Sequence, residues 1–282
     1  MDITNDLRNN KPNQPTNQPT NQPTNACCVC GQAILGKPVV VSGANFTLYK
    51  NDFRELGRVL ADNSVHAVIT DPPYGSGGFT IKDKTASSKS KYVSSDSGYQ
   101  QSLANIDGDS LHPDAWHDLM TAACKTAVRV LVEGGILAMF IDWRQMPQLQ
   151  RILLGSGITL RGCVVWDKGI GTRPNKNGFR NQAEYLLWGS KGPIAAREIP
   201  IYKQGVLKHT TMTNNKVHIT QKPEALMLDI IDICPPGGIV FDPFMGSGTT
   251  GVAALKTGRK FIGCETVPQY FDTAVARCIG FS

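Results

Sequence analysis

At 282 residues the chain can bury a sizeable core, as one large domain or one domain with an appendage. A hydrophobic fraction of 41% and a charged fraction of 18% are ordinary for a globular protein, and no apolar run reaches the roughly 18 residues that a membrane span needs. The formal charge of +6 permits an anionic partner without demanding one, and the polar N-terminus lacks a signal-peptide core, so a cytoplasmic protein is expected.

Residues 1–25 repeat Asn-Gln-Pro-Thr three times, from Asn13, Asn17 and Asn21, with almost nothing apolar to bury. This predicts a disordered tail ahead of a single domain over 26–282. Cys27 and Cys30 have the spacing of half a zinc site, but no second Cys or His pair follows nearby, and no metal is assigned. The other cysteines are scattered, several within apolar segments (Cys124, Cys163, Cys234, Cys264), as reduced thiols would be.

From about Ala44, strand and helix signals alternate. A short strand at Phe46–Tyr49 precedes a helix from Asp52 to about Ala61, and Val65–Thr70 is an apolar strand ending at Asp71. Residues 75–112, rich in Gly, Ser, Lys and Asp, predict a long mobile loop. Pro113 opens a helix to about Val132, stopped by Gly134-Gly135. Strands are predicted at 136–141, 158–166, 183–188, 239–241 and 260–263, and helices at 145–154, 223–234, 249–257 and 267–278. Near-continuous apolar strands alternating with helices predict an α/β fold with a mostly parallel sheet covered on both faces.

Two turns at predicted strand ends carry the chemistry. In Asp242-Pro243-Phe244-Met245-Gly246-Ser247-Gly248-Thr249-Thr250, Gly246 and Gly248 are expected to let a ligand approach the backbone, and the following helix offers free N–H groups. Asp242 can face an ammonium, and Glu265, ending the next strand, can accept from ribose hydroxyls. No Lys precedes the Thr pair as in a phosphate-binding P-loop, so the turn suits a zwitterionic amino-acid tail better than a polyphosphate. In Thr70-Asp71-Pro72-Pro73-Tyr74, Asp71 and the Pro72 carbonyl supply two acceptors, Pro73 stiffens the turn, and Tyr74 offers a stacking face. Two acceptors and a ring suit the exocyclic amine of a nucleobase, a poor nucleophile whose lone pair is delocalised. Asp71 is placed to take its proton after transfer, and the base must leave the duplex to reach such a pocket.

These segments resemble the amino DNA methyltransferases of the β group, in which the catalytic motif precedes the cofactor motif. The likeness runs from about Phe46 to Cys278. It takes in His218 to Pro223, Val164 to Lys168, Phe179 to Glu184 and the Asn51-Asp52 pair. It implies a Rossmann-like methyltransferase fold with a seven-stranded sheet and one reversed strand. It also implies S-adenosylmethionine as cofactor, and methylation of adenine N6 in double-stranded DNA, with cytosine N4 as the alternative. Asp71, Pro72, Pro73 and Tyr74 become the catalytic residues. Asp52, Gln221, Lys222, Asp242, Phe244, Gly246, Gly248, Thr249 and Glu265 become the cofactor residues. A catalytically silent DNA-binding relative is disfavoured by the intact Asp71, Tyr74 and Glu265, and a nicotinamide oxidoreductase by the carboxylate-flanked turn.

Residues 161–222 hold 11 Lys and Arg against 3 Asp and Glu, which leaves the remainder of the chain slightly acidic. Lys168, Arg173, Lys176, Arg180, Lys191, Arg197, Lys203 and Lys208 are therefore expected to face DNA phosphates. The region that reads sequence in the β group is confined here to about 190–217, which predicts a short or relaxed recognition site. A homodimer and a separate nuclease partner are both compatible with the sequence.

Overall fold

The computed structural model describes residues 39–75, 111–172, 174–211 and 221–281. The repeat tail, Cys27 to Cys30, the expected mobile loop at 76–110, Arg173 and residues 212–220 lie outside the described residues.

Among the described residues nine strands form one sheet: β1 (Val39–Ser42), β2 (Phe46–Lys50), β3 (Val65–Thr70), β4 (Leu131–Ile141), β5 (Ile158–Asp167), β6 (Ala183–Lys191), β7 (Val206–Lys208), β8 (Ile239–Asp242) and β9 (Lys260–Glu265). Their spatial order is β1-β2-β9-β8-β3-β4-β6-β5-β7. The expectation of seven strands is corrected. The run from β2 to β5 is seven strands wide with β6 alone reversed, but β1 adds an antiparallel edge beside β2, and β7 pairs with β5 at the other edge. Neither added strand carried a readable period. β1 is largely exposed, and β7 is three residues long.

Side chains alternate across the sheet and build a core on each face. Ala67, Ile69, Ala138 and Phe140 join one core with Leu226 and Met227 of α4 (Glu224–Ile231), Ala253 of α5 (Thr249–Lys256), and Phe271 and Ala274 of α6 (Pro268–Ile279). Val65, Val68, Leu137 and Met139 join the other with Phe53 of α1 (Phe53–Val59), Trp116 and Met120 of α2 (Pro113–Val130), and Leu149 of α3 (Met146–Gly155). Helix α2 shows why this works: Trp116, Met120, Ala123, Cys124, Ala127 and Val130 recur at helical spacing, and all are buried. It ends at Val130, short of the glycine pair expected to stop it. Leu131 already pairs with Val65, so the strand begins there, and Gly134, at φ +76°, bends within it.

Parallel pairing of β3 with β8 aligns Ala67 with Val240 and Val68 with Phe241. The two motif turns therefore leave the sheet side by side, at the carboxyl ends of adjacent strands.

Candidate active site

Those two strand tips are joined directly. Thr70 donates its hydroxyl to Asp242 Oδ1 at 2.6 Å, and the Phe244 amide donates to the same oxygen at 3.0 Å. Asp242 is only 2% exposed, and burial lifts its carboxyl to about 6. Its Oδ1 is thus turned to the neighbouring strand tip.

One residue beyond Thr70, Asp71 lies in a network of charge. Lys222 Nζ donates to Asp71 Oδ2 at 2.5 Å and stands 3.3 Å from Glu184 Oε2. The Tyr74 hydroxyl lies 2.9 Å from Asp71 Oδ1 and 3.1 Å from Glu184 Oε2, and accepts from Lys222 at 3.2 Å. Lys168 closes the set by donating to Glu184 Oε1 at 3.1 Å. Two carboxylates and two ammoniums leave the network formally neutral, which is what makes the burial of so many charges tolerable. Burial disfavours the Lys222 ammonium, yet Asp71 and Glu184 hold its affinity for the proton above the ordinary lysine value. Burial likewise opposes the Glu184 charge, but Lys222 and Lys168 bring that carboxyl down to about 2. Tyr74 is pushed well above its usual value by burial and by both carboxylates, so it remains a neutral phenol with one proton to donate. Aromatic faces complete the seat: Lys222 Nζ lies 4.9 Å from the Phe140 ring centre, 5.4 Å from Tyr74 and 5.8 Å from Trp166.

The proline turn is braced from behind. Trp116 donates its indole N–H to the Pro73 carbonyl at 2.8 Å, and Pro72 is buried. The Pro73 carbonyl is thereby occupied.

At the glycine turn, Gly246 has φ +51° and donates its N–H to Glu265 Oε2 at 2.9 Å, while Val267 donates to Glu265 Oε1 at 2.8 Å. Glu265, expected to meet ribose hydroxyls, here clasps the turn; its remaining lone pairs can still accept. Gly248, at φ +79°, caps α5 and supplies no side chain to the first amides of that helix. A Cβ at Gly248 would lie 2.9 Å from the Ala274 Cβ. Glycine at 248 is thus required by its φ and by packing against α6, independently of any ligand. The Thr249 hydroxyl is likewise turned inward, accepting from Arg277 at 3.1 Å. The Phe244 ring packs on Phe53 at 4.9 Å, and Asp52 holds Arg54, Nε to Oδ1 at 2.9 Å. Uncapped amides beside the carboxylates of Asp71, Asp242 and Glu265 fit a ligand carrying both an anionic end and positive centres.

Several expected residues fall elsewhere. Lys222, grouped with the cofactor residues, is instead seated on Asp71. Gln221 precedes it at the same end of the sheet. Lys168 is drawn inward by Glu184 and is 14% exposed, so it does not present to phosphates. Lys191 reaches the far end of the sheet, donating to Asn63 Oδ1 at 2.6 Å and the Leu131 carbonyl at 3.0 Å. Arg197 caps the Asp232 and Ile233 carbonyls there, and Lys203 pairs with Asp232 at 2.9 Å. These three stabilise the end opposite the motif turns, because β6 runs antiparallel to β4 and carries the chain away from Asp71. Lys176, Arg180 and Lys208 remain exposed at the motif end.

Sequence reasoning missed Trp116 and Arg277, which bear ordinary helical spacing and no motif. It met Glu184 only as the end of a family-like segment; the structure puts its carboxylate against Tyr74 and Lys222.

Such a site, a carboxylate–tyrosine turn beside a glycine turn at the carboxyl ends of a twisted α/β sheet, defines a nucleotide-handling group transferase. A family model described as "DNA methylase" matches residues 65–276, and the chain belongs to that family of N6/N4 amino DNA methyltransferases, with the motif order of its β group. YubD of Escherichia coli is 29% identical over 209 residues, covering 74% of this chain and 79% of that protein. The type II methyltransferase M2.DpnII of Streptococcus pneumoniae is 26% identical over 269 residues, covering 88% of this chain and 94% of that one. Among solved structures, the M1.HpyAVI–SAM complex superposes with TM-score 0.60 and 25% identity, covering 82% of this chain and 98% of that one. The cytosine-N4-specific PvuII methyltransferase shares the fold, with TM-score 0.62 and 19% identity over 84% of this chain and 87% of its own.

Proposed function

We propose that this DNA methyltransferase transfers a methyl group to the N6 amine of an adenine swung out of double-stranded DNA. The observation that carries the reading is the Thr70–Asp242 hydrogen bond, which sets the Asp71 turn beside the glycine turn. The solved relative M1.HpyAVI binds SAM, and the turn's uncapped amides and flanking carboxylates suit that zwitterionic sulfonium. When bound, S-adenosylmethionine supplies an electrophilic methyl group whose bonding pair stays on sulfur as the new N–C bond forms.

The chain's own residues prepare the amine. Asp71 and the Pro72 carbonyl accept its two N–H groups and draw the nitrogen towards tetrahedral geometry. Tyr74, its hydroxyl tied to Asp71 and Glu184, is held as a stacking face. After transfer the nitrogen is cationic and acidic, and its proton passes to Asp71. Burial raises the Asp71 carboxyl above the usual range against the pull of Lys222, which favours that acceptance. An aspartate at position 71, where cytosine-N4 members of the β group often carry serine, favours adenine.

The domain over 26–282, the cofactor roles of Asp52, Gln221 and Phe244, and a short recognition site belong to the same proposal. Mass spectrometry of nucleosides from treated DNA is expected to show N6-methyladenine; N4-methylcytosine alone overturns the adenine assignment. Asp71→Asn should lower kcat at least about 100-fold, with S-adenosylmethionine binding by calorimetry changed less than about threefold.

A further inference from the structure

Between β5 and β6 the chain makes a loop over 168–182 at the motif end of the sheet. Its stem is fixed in the catalytic network through Lys168 and Glu184. Beyond the stem it carries the most exposed large apolar side chain among the described residues: Phe179 is 95% exposed, and Ile170 on the other limb is 81% exposed. A phenylalanine in water is ordinarily hidden unless something else covers it. The loop does not leave it there by slackness. Asn175 Nδ2 donates to the Phe179 carbonyl at 2.7 Å, Asn177 takes a left-handed conformation at φ +58°, Gln182 donates to Asp167 Oδ1 at 2.6 Å, and Arg180 donates to the Thr172 carbonyl. A tied turn thus holds the ring outward between the exposed cations Lys176 and Arg180.

We infer that Phe179 is a wedge that enters the DNA stack where the target base has left it. The inference rests on the base-extrusion reading above. Removing a base from a duplex leaves an unstacked gap, and an apolar ring flanked by phosphate-binding cations is the chemistry that fills one. Glu184 lies five positions beyond Phe179, and an extended chain of that length spans at most roughly 17 Å, so the ring is in range of a base seated at Asp71. Trp143, the other exposed ring at this end among the described residues, is 52% exposed and already has the Arg144 guanidinium over it at 5.7 Å. Phe179 is a positioning residue: it acts on the DNA and touches no reacting atom.

The test uses the full chain on duplexes carrying its own methylation site, read out beforehand by single-molecule sequencing of DNA the chain has modified. With 2-aminopurine at the target position, wild type should raise the fluorescence, and Phe179→Ala should raise it much less. Phe179→Ala should lower kcat/KM on the matched duplex 10- to 100-fold. On a duplex with a mismatch opposite the target, where extrusion is easier, the loss should shrink below about threefold. Phe179→Trp should recover most activity, and S-adenosylmethionine binding should be unchanged in both variants. A full fluorescence rise in Phe179→Ala, an equal loss on both duplexes, or the same pattern in Trp143→Ala instead overturns the wedge. No rise with an active wild type overturns base extrusion itself, and the wedge with it.

Discussion

Lys222 is 7% exposed, with two carboxylates within 3.3 Å and three aromatic rings around its ammonium. Breaking a buried pair by removing one partner is costly because the other charge is stranded. Lys222→Met should therefore lower unfolding free energy by about 3 kcal/mol or more in urea titration. Adding Glu184→Gln should return part of that loss, since it restores a neutral network of Asp71 and Lys168. The contact joins residues 151 apart in sequence, so no local spacing announced it. The motif residues were legible because their chemistry is local: a carboxylate, two prolines and a ring in succession. Where Lys222 and Glu184 would point was not, because that is decided by the strand order that brings β6 and the start of α4 to the tip of β3.

At the scale of elements, the β3 and β8 tips share one buried carboxyl. Raised from the usual range to about 6, Asp242 is more protonated in the folded chain than in the unfolded one between those values. Its contribution to stability is therefore present below about pH 4 and lost as pH rises through about 6, a change of roughly 3 kcal/mol. Asp242→Asn, neutral throughout, should gain on wild type by up to that amount between pH 4.5 and pH 7.5, measured by denaturant titration at each pH. Elements with a strong apolar period were readable: α2 and β3 fall within two residues of their expected bounds. The edge strands β1 and β7 were not, since an edge is paired on one side only and imposes no two-faced pattern.

Taken whole, the molecule divides its basic segment between two ends. Lys191, Arg197 and Lys203 cap backbone carbonyls and carboxylates away from the site, while Lys176, Arg180 and Lys208 stand exposed at the motif end. Composition counts cations but cannot say which way a reversed strand carries them, and so the sequence assigned Lys191, Arg197 and Lys203 to DNA with the rest. Replacing Lys176, Arg180 or Lys208 by Ala should each reduce the slope of log binding constant against log salt by about 1; Lys191→Ala and Lys203→Ala should leave it unchanged. Fluorescence anisotropy across a salt series would decide.

The strand order also bears on how the chain comes to be folded as it leaves the ribosome. β2 and β3 emerge early but do not touch; β8 and β9, made some 170 residues later, are what fill the space between them. Until then two apolar strand margins wait unmated, an invitation to neighbouring chains. Premature termination anywhere before residue 239 should thus yield aggregates rather than a smaller stable body, and the glycine turn and its clasping glutamate come into being only with the final closure of the sheet.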